Sequence, residues 1–302
     1  MATGKRRWTP WLYVLPALIL LALFLVLPTI QTFWLSLHSG TGFNPTEFVG
    51  LDNYVQLLTR DRFFLKLDEW PPSGALVNNV LWLALFTTGT VGIGLLIAVL
   101  ADRVRYETIV KAVIFVPMVI SATAASVIFR FVYSPDPHAG VINAALTSIF
   151  PNLEPIPWLG RADLVNLAVI GAGVWIFTGL AMTVLSAAYK SLDREVLEAA
   201  AVDGASGWQT FWRISLPMLS GPIVIVAITM IINALKMLDL VLVMTQGGPR
   251  NASRTIAFSM FWEVFNNSLA GYGSAIAVIL LFLVAPIIVF QIRRFRAEEA
   301  LR

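Results

Sequence analysis

Six long stretches of this chain are almost wholly apolar, and short polar segments separate them. They cover about 11–37, 75–100, 112–133, 164–188, 216–243 and 273–292. A helix rises about 1.5 Å per residue, so each stretch is long enough to cross a hydrocarbon layer of about 30 Å. The pattern predicts an all-α integral membrane protein: six transmembrane helices in a single domain over residues 1–302. Pro16 and Pro28 lie in the first stretch and Pro117 in the third, positions a bundle tolerates when neighbouring helices meet the freed backbone groups. Lys5, Arg6 and Arg7 precede the first stretch. A signal peptide starts in the same way, but its apolar part is only about 7–15 residues, so a retained helix is expected.

Composition strengthens this picture. Hydrophobic residues make up 58% and charged residues 13%, against about 25% charged in soluble domains. The net charge of +3 comes from short basic clusters beside apolar runs, so no nucleic-acid partner is expected. With no cysteine, disulfides, thiol chemistry and cysteine-held metals are excluded. His38 and His138 are too far apart to suggest a metal site. No glycine-rich phosphate loop is present, nor a nucleophile–histidine–acid set, and the chain is expected not to be an enzyme. Basic residues favour the side that holds Arg103, Arg105, Lys111, Lys190, Arg194, Arg213 and Arg293–Arg296 as well as both termini. The positive-inside rule makes that side cytoplasmic.

The longest helix-compatible polar segment between two apolar runs is residues 190–217. Residues 190–202 contain no glycine or proline, Gly204 supplies a break, and Ser206 stands three before Gln209, the capping-box spacing. Trp208, Phe211 and Trp212 then fall on one helical face, and Pro217 marks the return to the bilayer. Glu198-Ala199-Ala200, three residues, Gly204, nine residues, Ile214, one residue and Leu216-Pro217 resemble without a gap the cytoplasmic EAA loop of permease subunits in bacterial ABC importers. The run from Phe48 to Tyr54 (Phe-Val-Gly-Leu-Asp-Asn-Tyr), Gly140-Val141-Ile142-Asn143, the run from Leu242 to Pro249, and the run from Gly271 to Ala275 are similar to the carbohydrate-type (maltose/α-glucoside-like) branch. The resemblance spans nearly the whole chain. It departs from some maltose-type members in lacking additional N-terminal spans, and in a first outer loop lengthened by Trp70-Pro71-Pro72.

The resemblance implies a multi-pass protein of the bacterial cytoplasmic (inner) membrane that works with a second homologous permease subunit. Two ATP-binding subunits and an extracytoplasmic solute-binding protein complete the assembly, and ATP and Mg are bound by the partner ATPase, with no cofactor in this chain. The coupling set would be Glu198, Ala199, Ala200, Asp203, Gly204, Gly207, Ile214, Leu216 and Pro217. Glu198 would be the charged contact, Ala199 and Ala200 would allow close approach, Gly204 would set the turn, and Asp203 would cap or contact. A sugar is the implied substrate, with an oligosaccharide such as an α-glucoside as the working choice.

Polar groups inside apolar stretches are the second candidate set, because ionisable residues there are costly. Asn233, Lys236 and Asp239 are expected on one face of the fifth helix, with Lys236 and Asp239 near enough to pair. Trp175 and Thr178 in the fourth stretch and Tyr272 at the start of the sixth would add an aromatic face and hydroxyls. A snorkelling lysine with a local partner, or aromatic packing, explains the same residues without transport. Three alternatives stay open: an importer of glycerol phosphate or another small polar solute, an ion-coupled secondary transporter, and a membrane scaffold. The last two leave the 190–217 segment unexplained.

Overall fold

The computed structural model describes residues 9–300 except 43, 45 and 67–72. Lys5, Arg6, Arg7, Arg302 and Trp70-Pro71-Pro72 lie outside the described residues.

In chain order the helices are α1 (Tyr13–Ser36), α2 (Asp52–Thr59), α3 (Ala75–Ala101), α4 (Glu107–Val119), α5 (Ala122–Val132), α6 (Val141–Ile149) and α7 (Val165–Lys190). They continue as α8 (Arg194–Val202), α9 (Gly207–Met218), α10 (Ser220–Leu235), α11 (Asp239–Met244), α12 (Ile256–Phe261) and α13 (Ala270–Arg296). Among the described residues, α1, α3, α7 and α13 are each long and apolar enough to cross a membrane. The pairs α4–α5 and α9–α10 reach that length together, bent by 101° and 67°.

The continuous third and fifth helices expected from the pattern are therefore corrected to broken ones. In the third, Ile120 is extended and the Ser121 hydroxyl accepts the Ala124 amide at 3.2 Å, starting a new helix. A serine that caps gains more there than inside a helix. In the fifth, α10 stops at Leu235 with Lys236 as its cap, and α11 starts afresh at Asp239. The Thr255 hydroxyl donates to the Met237 carbonyl at 3.0 Å, which holds the chain off the helical path between them.

The chain divides into two compact units. The first, residues 1–61 and 259–282, contains α1, a short antiparallel pair of strands β1 (His38–Ser39) and β2 (Glu47–Phe48), and α2. None of the most apolar stretch of α1 is buried within the chain. The Asn53 amide donates to the carbonyls of Ser36 at 2.8 Å and His38 at 3.0 Å, and the Tyr54 hydroxyl donates to Ser36 Oγ at 2.6 Å. The two Asn53 bonds meet carbonyls left over where α1 ends.

The second unit, residues 62–258 and 283–302, has α3 against α7 at its centre. A Cβ on Gly94 would lie 2.7 Å from Ala181 Cβ and 2.9 Å from the Met182 amide nitrogen, so glycine permits the close approach that membrane helices use. Trp82, Phe86, Met182, Leu185, Met230 and Leu240 are fully buried around this crossing. Three amides fasten the segment after α11 to it. Asn78 Nδ2 donates to the carbonyls of Ala252 and Arg254 at 2.9 and 2.8 Å. Asn166 Nδ2 donates to Asn78 Oδ1 at 2.8 Å and the Ala252 carbonyl at 2.7 Å, and the Ile256 amide donates to Asn79 Oδ1 at 2.8 Å.

Asn78→Leu keeps the volume and strips two carbonyls of a donor, which costs about 1–3 kcal/mol for buried groups. It is expected to lower the melting midpoint in detergent clearly. Asn233→Leu should leave the midpoint unchanged, because among the described residues that amide donates to its own helix, at Thr229. Equal shifts in the two variants would refute the fastening role.

Candidate coupling loop and substrate path

The 190–217 segment is built almost entirely by end-capping. Asp193 Oδ1 accepts the Glu195 amide at 2.9 Å and starts α8. At the other end the Gly204 amide donates to the Ala201 carbonyl at 3.1 Å and the Ala205 amide to the Ala200 carbonyl at 3.0 Å. This bond pair closes a helix when the next residue has positive φ, and Gly204 has φ +79°. The capping box follows: the Ser206 amide donates to Gln209 Oε1 at 2.8 Å and the Gln209 amide to Ser206 Oγ at 3.3 Å. Only four residues thus separate the end of α8 from the start of α9.

Glu198, Ala199, Asp203, Gly204, Gly207 and Pro217 are exposed, and Ile214 and Leu216 are half-buried. Ala200 is buried at 8% exposure, whereas its neighbour Ala199 is exposed. Asp203 ends α8 through its backbone; the side-chain cap on the next helix comes from Ser206. Between the two helices Asp203, Gly204, Ala205, Gln209, Arg213 and Ile214 line a shallow pocket of about 310 Å³. Trp208 and Trp212 meet edge to face at 5.4 Å and stay exposed. The arrangement exposes a carboxylate, small apolar side chains and two indoles on a short capped turn. At the root of this element Lys190 Nζ lies 2.8 Å from the Glu107 carboxylate, and Lys111 also donates to Glu107 and to the Ser186 hydroxyl.

The substrate-path residues are spread over several elements. Trp175 and Thr178 line a cavity of about 630 Å³ with Gly89, Ile93, Pro117 and Val174. The Thr178 hydroxyl donates to the Val174 carbonyl at 2.6 Å, while Trp175 is 44% exposed and packs its edge on Phe129 at 5.3 Å. Lys236 and Asp239 do not share a helix face, since one caps α10 and the other opens α11. Both are exposed, and no ion pair joins them among the described residues. Tyr272 belongs to the first unit, where its hydroxyl donates to Asp61 Oδ2 at 2.7 Å.

Sequence reasoning missed Asn78, Asn79 and Asn166, and the Glu107–Lys111–Lys190 cluster. Two adjacent amides in an apolar stretch were a usable signal, because a buried amide without partners costs several kcal/mol, about 2–7. The Glu107–Lys190 pair joins residues 83 apart, which no local spacing announces.

Apolar helices of membrane-spanning length, joined through an exposed capped helix–turn–helix, define a multi-pass membrane protein. The chain belongs to the family of binding-protein-dependent transport system inner membrane components, whose family model matches residues 90–296. It is 44% identical over 295 residues to the osmoprotective compounds uptake permease protein GgtC of Synechocystis sp., covering 96% of this chain and 100% of that one. The alpha-glucoside transport system permease protein AglF of Rhizobium meliloti is 38% identical, covering 96% of this chain and 83% of the relative. Among solved structures, a chain of a bacterial ABC transporter involved in the import of the acidic polysaccharide alginate matches with TM-score 0.80 at 21% identity. That match covers 97% of this chain and 96% of the other. At that identity the likeness concerns the fold.

Ser206→Ala removes one side of the capping box, a loss of about 1 kcal/mol. Amide hydrogen exchange at Gln209 and its neighbours is expected to speed up about fivefold, with α7 and α10 unchanged. Unchanged exchange at 207–212 would mean that the turn is held by something other than its cap.

Proposed function

We propose that this chain is the translocation subunit of an ATP-driven importer for a hydroxyl-rich, sugar-like solute, with an α-glucoside as the first substrate to try. The observation that carries the reading is the exposed 190–217 element, in a chain whose family match runs through it. The names of two relatives, one for alpha-glucoside transport and one for uptake of osmoprotective compounds, support the substrate class. In this reading two ATP-binding subunits hold ATP and Mg, a second permease completes the pathway, and an extracytoplasmic binding protein delivers the solute. This chain contributes no catalytic residue. It lies in the bacterial inner membrane with both termini cytoplasmic.

The mechanism follows from rigidity. Closure of the ATP-binding subunits would draw the two coupling loops together and switch the pathway from inward-open to outward-open. A loop can transmit such a displacement only if it does not fold up on itself, and the caps at Asp193, Gly204 and Ser206 supply that stiffness. Glu198 would meet a basic group of the ATPase, a charge-assisted contact.

A specific observation favours a second reading, import of an anionic solute. Lys236 stands exposed at the α10–α11 break without an ion-pair partner among the described residues, where a pairing with Asp239 would have neutralised it. Lys236→Gln separates the two readings in proteoliposome uptake. For a neutral sugar the variant is expected to stay within about twofold of wild type. An anionic solute would lose about tenfold or more, as for a charge-assisted bond of roughly 1.5–3 kcal/mol.

The coupling reading is tested by co-purification of the full chain with its co-expressed ATP-binding subunits. Glu198→Lys is expected to reduce retained ATPase strongly. Gly204→Pro, which forces φ near −65° where +79° is needed, is expected to abolish it, with both variants still folded in the membrane. Full retention and unchanged ATP turnover in both would remove the coupling role and bring a secondary transporter to the front.

A further inference from the structure

The start of α4 and the end of α7 enclose a groove of about 460 Å³ that the transport reading leaves unused. Thr108, Lys111, Ala112 and Phe115 line one wall, and Thr183, Ser186, Ala187 and Lys190 the other. Each set is spaced i, i+3, i+4, i+7, so two helix faces meet along their length. The two ammonium groups share one end of the groove, bridged by the Glu107 carboxylate. Beyond them the lining becomes apolar, at Ala112, Phe115 and Ala187.

We propose that this groove binds an anionic phospholipid, its phosphodiester held by Lys111 and Lys190 and an acyl chain lying along Phe115. Two ammonium groups against the Glu107 carboxylate leave a charge of +1, and the opposite charges of Asp102 and Arg194, which also act on Lys190, cancel, so one phosphodiester neutralises the site. Donors remain for it. An ammonium has three N–H bonds; Lys190 uses one on Glu107, and Lys111 uses two, on Glu107 and Ser186. Lys190 is half-exposed at the groove mouth. The rest of the ligand is identified by the lining and by the neighbouring face of α4. Ile109, Val113, Val116 and Val119 are all more than half exposed, an apolar surface that only lipid or protein covers. A soluble anion has no use for an apolar floor, whereas a lipid occupies both parts, and basic pockets between membrane helices take anionic headgroups in this way. Because Lys190 is the last residue of α7, the lipid sits at the root of the 190–217 element.

The full chain is purified, incubated with phosphatidylglycerol or with phosphatidylcholine of the same acyl chains, and examined by native mass spectrometry. Wild type is expected to retain phosphatidylglycerol preferentially. Lys111→Gln and Lys190→Gln should each weaken retention about fivefold, and Glu107→Gln should strengthen it by removing the competing carboxylate. Equal retention of the two lipids, or unchanged retention in the lysine variants, overturns the proposal. So does displacement of the lipid by millimolar inorganic phosphate, which would make this a site for a free anion. Loss of the adduct when a second permease is co-assembled would instead make the groove a subunit contact. If the lysine variants do not elute as monodisperse protein, Glu107→Gln decides alone, since unchanged or weaker retention contradicts the charge argument.

Discussion

Every backbone group that leaves a helix inside a packed protein must find another partner, and in this chain three asparagines carry that requirement. The stretch between α11 and α12 is irregular, with Gln246, Arg250 and Asn251 at positive φ and a cis bond before Pro249. It stays ordered because Asn78, Asn79 and Asn166 reach it from α3 and α7. Within it the Ser253 hydroxyl donates to the Gly248 carbonyl at 2.7 Å and meets the Thr245 hydroxyl at 2.7 Å. The buried Arg254 guanidinium lies between the rings of Phe63 and Phe258, 5.6 and 5.9 Å from their centroids. Removing the amides would leave polar atoms facing apolar helices, and the break that separates α10 from α11 would lose the neighbour that holds it.

That dependence explains which parts of the fold were legible. The apolar stretches announced the helices because length and hydropathy are summed over many residues, and a few irregularities do not change the sum. The breaks were hidden for the same reason. Apolar residues run on past both sides of Ser121, so only Pro117 and the serine's capping ability marked the boundary. Lys236 and Asp239 were visible but were given the wrong meaning. Charges spaced i, i+3 fit a shared helix face, and they fit a helix end and a new start equally well; the Thr255–Met237 bond, eighteen residues away, decides between them.

The 190–217 element shows the opposite case. Its closing bonds join residues at most five apart, so glycine at 204 and serine and glutamine three apart were enough to read it. The finer division of labour was not readable. Ala199 and Ala200 look identical in sequence, and only the packing shows that one faces outward while the other is covered. The substrate path was the least legible of all, because a path is made by side chains from several helices. The structure brings Trp175 and Thr178 to one cavity and separates Lys236 from Asp239 at a helix break.

The tip of α8 has one further property. Val202 is 88% exposed, and Ala199 and Ala201 beside it are also exposed. Covering a valine side chain is worth about 1.5–3 kcal/mol, and dissolved salt does not screen it and can strengthen it. A surface carboxylate such as Glu198 acts through a field that physiological salt screens within about 8 Å. A contact made on this tip would therefore hold in concentrated electrolyte, where a contact made of charge alone would slacken.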